Sequence, residues 1–229
     1  MATSIVERMD EAEAAREEAA QTGSGAEQGG RPRKRTDLRV VKTKRTIREA
    51  FLRLMESKGL ESMTVQDILD EALVNRKTFY TYYQNKYDLA EQIAAEFLDS
   101  FDTMVARRFP AAAGGRPETF SIDEIYAELN QNRGEVQAIW SIRTDRVNVF
   151  DELAQRLRRI YLNMAAYYGV GGDVELQAYM FSTFVLSTYQ HIMETDEPFE
   201  TDELLGEYEH LCSVIERASR GEAAADRKS

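Results

Sequence analysis

The chain has little of what secreted, membrane-spanning and disulfide-rich proteins use. Its 229 residues include one cysteine and four prolines. The single Cys212 cannot form an internal disulfide, and its apolar neighbours favour a small buried thiol over a redox sensor. No apolar run approaches the ~20 residues needed to cross a bilayer, and the N-terminus lacks a secretory pattern. These absences predict a cytoplasmic protein that does not contact a membrane.

Motifs of enzymes are also missing. There is no Gly-rich phosphate loop of the Walker type, no serine elbow and no Cys/His catalytic set. Glu207 and His210 form one Glu-x-x-His pair of the kind found in di-iron bundles, which makes a helical-bundle enzyme the rival interpretation. A second pair is not available, because Thr188 stands three residues before the other histidine, His191. The sequence predicts no enzyme, no cofactor and no bound metal.

Charge is distributed unevenly along the chain. The formal net charge is -11, but residues 31–86 carry +7, whereas residues 1–30 carry -5 and residues 87–229 carry -13. A basic block followed by a large acidic one favours a nucleic-acid-binding head on a body that phosphate repels.

Apolar residues recur with helical periodicity nearly throughout, without convincing alternation of period two. The pattern predicts an all-α protein of about nine helices. A first helix, roughly 38–58, is expected to stop at Gly59. Later helices are predicted from Thr64 to about Glu71, from Asn75, from Asn85 to near Pro110, from Ser121, around Trp140, and over about 147–168, 173–194 and 202–219.

Residues 64–86, TVQDILDEALVNRKTFYTYYQNK, contain two short helices separated by a tight break, which predicts a helix-turn-helix. Phe79 and Tyr83 share one face of the second helix and are expected in the core. The side chains left outside are Arg76, Lys77, Thr78, Tyr80, Thr81 and Tyr82. Arginine and threonine can read base edges, while lysine and tyrosine more often hold phosphates. Lys86 begins the next helix, where its ammonium and the N-terminal amides can share a phosphate.

Over roughly Thr46 to Leu89 the chain resembles the TetR/AcrR transcriptional regulators. The resemblance is carried by Lys58-Gly59 and by the strings TVQDILDEA, VNRKTFYTYY and NKYDL. It implies a three-helix head that inserts its third helix into the major groove of double-stranded DNA. It also implies DNA contacts at Thr64, Gln66, Arg76, Lys77, Thr78, Tyr80, Thr81, Tyr82 and Lys86. One departure is Leu73, where the family usually has glycine, so that the turn either avoids positive φ or tolerates strain.

Three segments are predicted. Residues 1–36 form a disordered tail with a basic arm, residues 37–86 the helix-turn-helix DNA-binding domain, and residues 87–229 a larger helical bundle for dimerisation and effector binding. The arm, Arg31 to Arg35, is either a solvated charge run or a segment that lies on phosphates or in the minor groove.

The last two long helices are the expected dimer interface, because the first of them is apolar nearly all round and needs several partners. A purely intramolecular core is the alternative. The resemblance implies a four-helix bundle formed with a second copy. The interface residues are predicted to be Met180, Phe184, Tyr189, Leu204, Tyr208 and Leu211.

The resemblance further implies a pocket for a small apolar effector in the body. The predicted lining residues are Phe97, Phe101, Trp140, Arg143, Met164, Tyr168 and Phe184. A body that only mediates dimerisation or protein interaction, without ligand, remains the alternative. The expected function is that of a homodimeric repressor on a pseudo-palindromic operator, released by the effector.

Overall fold

A computed structural model describes residues 34–108, 129–195 and 201–220. Within these ranges the chain forms eight helices and no extended strand, and one isolated bridge pairs Arg143 with Asn148. The all-α prediction is confirmed. The predicted helix from Ser121 and the tail before Lys34 lie outside the described residues. The helices are α1 (Lys34–Ser62), α2 (Val65–Ala72), α3 (Arg76–Tyr82), α4 (Lys86–Arg108), α5 (Arg133–Trp140), α6 (Val149–Tyr168), α7 (Val174–Thr195) and α8 (Thr201–Ser219).

Helix α1 differs from its prediction at its start and agrees with it at Gly59. It begins at Lys34 rather than near residue 38, so the last two residues of the predicted arm are helical. At Gly59 the regular helix is interrupted, as predicted. This glycine takes a non-helical φ of 72° and ψ of 165°, and one further helical turn follows over Leu60–Ser62. Glycine allows this sharp kink because it reaches positive φ without a Cβ clash.

The head is built on the apolar stripe of α1. Ile47 and Phe51 are fully buried, and Ile68 of α2 and Phe79 of α3 complete the same cluster. Burying one side chain of this size contributes about 1.5–3 kcal/mol. The two short helices, which would be unstable alone, are held in place by this shared core.

Helix α4 joins the head to the body without a break in packing. Leu89 and Ile93 are fully buried in the cluster that also contains α1 and α5. Helix α1 lies so close to the start of α5 that a Cβ added to Gly134 would stand 2.5 Å from Glu56 Oε1. The core therefore runs across the predicted boundary between residues 86 and 87.

In the body, α6 packs along α7. Their contact includes the Tyr161 and Phe181 rings, whose centres are 5.3 Å apart, and a hydrogen bond from Tyr161 Oη to Gln177 Oε1 at 2.8 Å. Gly169 ends α6 in a left-handed conformation with φ 66°, as helix C-caps often do. No helix among the described residues is both long and apolar enough to span a bilayer.

Candidate nucleic-acid interface

Local hydrogen bonds define where α2 begins. Thr64 Oγ1 accepts from the backbone N–H of Asp67 at 3.1 Å, and Asp67 Oδ2 accepts from the Thr64 N–H at 2.8 Å. This capping box satisfies two otherwise unpaired donors. Lys58 Nζ, on α1, donates to Asp67 Oδ1 at 2.7 Å. The Lys58 bond, followed by the bonds from Thr64, lowers the pKa of Asp67 to about 2.

The turn between α2 and α3 contains Leu73 in a left-handed conformation, with φ 53° and ψ 38°. Of the two possibilities that the missing glycine raised, strain is the one observed. Leu73 is 91% exposed, so its side chain gains little from burial in compensation. Asn75 then caps α3 by accepting from the Thr78 N–H at 2.8 Å, which fixes the direction in which α3 leaves the turn.

Helix α3 has one buried face and one solvent face. Phe79 is fully buried and Tyr83, which follows the helix, is 1% exposed, as predicted. The exposed side chains cover an arc of about 140° at 3.6 residues per turn; they are Arg76, Lys77, Tyr80 and Thr81. We call these four residues the α3 face. It presents two cationic groups and two hydroxyl groups on a helix anchored by aromatic residues.

Contacts within the α3 face order its side chains. The Arg76 guanidinium carbon lies 6.0 Å from the centre of the Tyr80 ring, within the range of a cation–π contact. Tyr80 in turn packs edge-on against Phe79, with ring centres 5.4 Å apart. Thr81 Oγ1 donates to the Lys77 carbonyl at 2.9 Å. Arg76 is therefore supported through Tyr80 by a buried residue.

Two other predicted contact residues of α3 are less available. Thr78 is half-buried, and its hydroxyl donates to Asn75 Oδ1 at 3.0 Å. Tyr82 is half-buried against the core, with its ring centre 6.3 Å from that of Tyr83. Both side chains help to hold α3 in position.

The predicted contacts of α2 lie at its exposed N-terminal end. Thr64 is exposed, although its hydroxyl already donates to Asp67 Oδ2 at 2.8 Å. Gln66 is exposed and donates to Asp70 Oδ1 at 2.8 Å. After a small rotation, Thr64 can donate its hydroxyl hydrogen to a phosphate, and Gln66 can donate an amide hydrogen.

Lys86 occupies a different environment from the one that the sequence suggested. Its half-buried ammonium donates to three backbone carbonyls, those of Leu60, Glu61 and Met63, at 2.8, 2.9 and 2.9 Å. A lysine ammonium has three donors, so a phosphate contact by Lys86 would require one of these bonds to be given up.

Two of the seven predicted pocket residues do not face the interior of the part of the chain that the structure describes. Arg143 is exposed and Tyr168 is 60% exposed, so both are wrong as interior lining. Arg143 lies in the turn between α5 and α6 and Tyr168 in the last turn of α6, where side chains project into solvent. The remaining predicted residues are buried or half-buried, namely Phe97, Phe101, Trp140, Met164 and Phe184.

A cleft of about 260 Å³ lies between α4 and α6, and none of the predicted pocket residues lines it. Its walls combine an ion pair, Arg156 Nε to Asp102 Oδ2 at 3.2 Å, with apolar groups such as Ile160. Trp140 offers a further polar group in the interior. Its ring lies 4.9 Å from that of Tyr189, and its buried Nε1 has no hydrogen-bond partner among the described residues.

The predicted dimer residues separate into two groups. Tyr189 is only 2% exposed and packs inside the protomer against Trp140, so it is wrong as an interface residue. Met180, Tyr208 and Leu211 are exposed, while Phe184 and Leu204 are half-buried. The Phe184 and Tyr208 rings, 4.9 Å apart, join α7 to α8.

The apolar surface of α7 and α8 is larger than the sequence list. Its additional exposed members are Leu176, Tyr179, Leu205, Val214 and Ile215. We call the exposed apolar residues of these two helices the α7–α8 surface. The helical period of α8 places Leu205 and Ile215 beside Tyr208, and the sequence pattern already predicts them on the apolar side of that helix. Half-buried Cys212 lies among them and, through a hydrogen bond, raises the pKa of Tyr208.

Metal-ligand geometry is not found in the part of the chain that the structure describes. No group of three or more His, Cys, Asp or Glu side chains there could hold an ion. His210 Nδ1 and Glu207 Oε1, the pair considered for a di-iron site, are 4.0 Å apart on an exposed turn of α8.

Comparison with known proteins matches residues 47–93 to the family described as bacterial regulatory proteins, tetR family. YxbF of Bacillus subtilis, an uncharacterised HTH-type transcriptional regulator, is 34% identical over 71 residues, or 29% of this chain and 19% of its own length. DhaS of Lactococcus lactis, an HTH-type activator of the dhaKLM operon, is 39% identical over 51 residues, or 22% of this chain and 27% of its own. The chain thus spans about a fifth to a quarter of these relatives.

Similarity of fold extends beyond the head. The structure of SmeT in complex with triclosan superposes with a TM-score of 0.53 at 18% identity, covering 68% of this chain and 82% of SmeT. At this identity the match concerns the fold alone, and it includes the helical body as well as the three-helix head. Residues 47–93, which form the head and the start of α4, therefore carry the match to the tetR family of bacterial regulatory proteins, on a helical body whose fold is similar to that of SmeT.

Proposed function

We propose that the protein is a homodimeric, sequence-specific DNA-binding repressor. The observation that carries the proposal is the α3 face, which exposes Arg76, Lys77, Tyr80 and Thr81 on a helix backed by buried Phe79. This face belongs to the basic block of the chain, +7 over residues 31–86, on an acidic body. Such a surface suits insertion of α3 into the major groove.

Within this proposal the side chains divide by role. Arg76 reads a guanine, because a guanidinium forms two parallel hydrogen bonds with its edge. Lys77, Tyr80 and Thr81 bind phosphates or neighbouring base edges, and Thr64 and Gln66 bind phosphates at the start of α2. Thr78 and Tyr82 keep α3 oriented through the contacts described above.

The α7–α8 surface supports the dimerisation part of the proposal. Leu205, Leu211 and Ile215 are each more than half exposed in the single chain. A contiguous group of exposed apolar side chains on adjacent helices is typical of an interface. A two-fold axis through it would present two α3 faces to half-sites about one helical turn, ~34 Å, apart.

Control by an apolar effector is the second part of the proposal. Trp140 supports it, since its Nε1 is buried beside the aromatic rings of Phe150 and Tyr189 and is a donor without a partner in the described ranges of the chain. SmeT, of similar fold, has a solved structure in complex with triclosan. A ligand that prefers the protein form with the weaker DNA affinity would release the operator.

The test begins with selection of duplexes from a random pool by the full-length protein. We expect enrichment of an inverted repeat, with binding that weakens in the Arg76→Ala variant. Failure to enrich any sequence would overturn the proposal.

A reporter gene placed behind the selected site tests whether the protein represses or activates transcription. Repression predicts that expression of the protein lowers reporter output, and an increase would instead indicate an activator, which is what DhaS is described to be. A screen for small molecules that alter operator affinity tests effector control, and a body that responds to none of them would be a dimerisation module alone.

A further inference from the structure

Lys86 sits where the chain on either side of the helix-turn-helix comes together. We call α2, α3 and the turn between them (residues 65–82) the reading unit. The chain enters it through residues 60–63 and leaves it through Lys86. The three bonds from Lys86 Nζ to the carbonyls of Leu60, Glu61 and Met63 span 23 to 26 residues of sequence. They therefore close the whole unit into a loop.

The acceptors of these bonds are rigidly held. Leu60 is 6% exposed and Met63 is 1% exposed, so their side chains are fixed in the head core. They belong to the end of α1 and the residue before Thr64, where carbonyls carry partial negative charge and lack intrahelical partners. An ammonium with three donors matches three converging carbonyls better than a guanidinium, whose donors lie in one plane.

Neighbouring contacts strengthen the same junction. The Tyr87 ring centre lies 5.0 Å from Lys86 Nζ, and Tyr87 Oη donates to Glu61 Oε2 at 3.3 Å. The start of α4 is capped by Asn85, whose Oδ1 accepts from the Asp88 N–H at 2.9 Å. Any displacement of α4 must therefore carry residues 60–63 with it.

We infer that Lys86 is a positioning residue, which fastens the entry and exit of the reading unit to α4 so that α2 and α3 move as one rigid piece. The inference rests on the proposed function, DNA recognition by α3, and it assigns Lys86 a role other than phosphate binding. The residue acts on DNA through the placement of the α3 face. Its removal should therefore harm discrimination between sequences and leave the number of neutralised phosphates unchanged.

The variant Lys86→Met removes the ammonium and keeps an unbranched stem of similar length. Its matched control is Lys77→Met, an exposed lysine of the α3 face. Affinity for the duplex selected by the wild-type protein, and for a scrambled duplex, is measured by fluorescence anisotropy over a salt series. Circular dichroism defines a temperature at which each variant is folded.

For Lys86→Met we expect the plot of log K against log salt to keep the wild-type slope. The ratio of selected to scrambled affinity should fall about tenfold, comparable to one mismatched base pair. For Lys77→Met we expect the slope to fall by ~0.9 with the ratio retained. A slope lowered by ~0.9 in Lys86→Met, with its ratio retained, would show a phosphate contact and overturn the inference.

Reductive methylation of the wild-type protein, read by mass spectrometry, applies even if Lys86→Met does not fold. We expect slow modification of Lys86 with and without DNA, and rapid modification of Lys77 that DNA suppresses. Rapid modification of Lys86 in the free protein, whether or not DNA suppresses it, would contradict the three-carbonyl arrangement. The free-protein measurement does not depend on DNA recognition, so it separates failure of this inference from failure of the proposed function.

Discussion

Leu73 adopts a left-handed backbone conformation, with φ 53°, in the turn between α2 and α3. Residues other than glycine rarely adopt this conformation. The left-handed region costs a residue with a Cβ about 1–2 kcal/mol. Since Leu73 is 91% exposed, its replacement loses little apolar contact. We expect Leu73→Gly to raise the free energy of unfolding by about 1 kcal/mol, reduced somewhat by the greater freedom of glycine in the unfolded chain. Urea denaturation measures the change.

Gly169→Ala is the control for this prediction. Gly169 has φ 66°, and a Cβ added there meets nothing within 4 Å, so backbone strain alone should lower stability by about 1 kcal/mol. If the free energy of unfolding changed in the same direction in both variants, the positive φ would not be the cause of either change.

Arg76 and Lys77 are adjacent in sequence but should differ in effect. We expect Arg76→Ala to lose ~1–3 kcal/mol of discrimination at one base pair, because it removes a bidentate base contact. Lys77→Ala should weaken binding about equally on every sequence and reduce the salt slope by ~1. Binding measured on a set of single-base variants of the selected duplex separates the two. An equal loss on every duplex for Arg76→Ala would assign Arg76 to a phosphate.

At the scale of the helices, the contact between α1 and α4 includes a buried ion pair between Arg48 Nη2 and Glu96 Oε1. The Arg48 side chain is 1% exposed and that of Glu96 is 19% exposed. Breaking such a pair on one side costs about 3–5 kcal/mol, whereas replacing both partners by apolar groups is often neutral. We expect Glu96→Leu to destabilise the protein strongly and Arg48→Met/Glu96→Leu to recover most of the loss, as measured by thermal or urea denaturation.

Arg146 provides the control for the ion pair. It bonds Glu91 Oε2 at 3.3 Å, but its side chain is 82% exposed, so Arg146→Ala should cost less than ~1 kcal/mol. A double variant no more stable than Glu96→Leu alone would mean that the buried charges are not what holds α1 and α4 together.

An element can be predicted from the sequence when the interactions that form it join residues close together in the chain. Thr64 and Asn75 predict where α2 and α3 begin, because the side chain of a cap residue hydrogen-bonds to a backbone N–H only three positions away. Apolar periodicity likewise predicts the buried Phe79. The bonds of Lys86 reach 23 to 26 residues along the chain, and a contact of that kind leaves no local pattern.

The positions of two further residues are not determined by the sequence pattern. Tyr189 lies on a helix that is apolar nearly all round, so its sequence context could not tell whether it faces a second copy or Trp140. The structure turns it inward, 2% exposed. For Leu73, composition left two possibilities open, and only the backbone of the turn, with its positive φ, distinguishes them.

For the whole molecule, the proposed dimer depends on the α7–α8 surface. Leu211 is 53% exposed, so Leu211→Glu should leave the protomer folded while placing a charge in the apolar interface. We expect the dissociation constant of the dimer to rise more than about tenfold and affinity for the selected duplex to fall with it. Analytical ultracentrifugation measures the first effect and anisotropy the second.

Val170→Glu is the matched control, because Val170 is 43% exposed after the end of α6 and outside the α7–α8 surface. It should remain dimeric. Tyr189→Glu should instead unfold the body, since it buries a charge against Trp140. A Leu211→Glu protein that sediments as an intact dimer would place the interface elsewhere.

The core that runs from α1 through α4 into α5 has a consequence for recombining such proteins. A chimera joined between residues 86 and 87 would pair an α1 shaped for one α5 with a foreign partner. At Gly134 even a methyl group would meet the Glu56 carboxylate at 2.5 Å, so a foreign α5 would displace that side chain and would also lose the matched packing of the buried core. Exchange of DNA specificity between relatives is therefore better made by transplanting the exposed residues of α3 than by swapping heads.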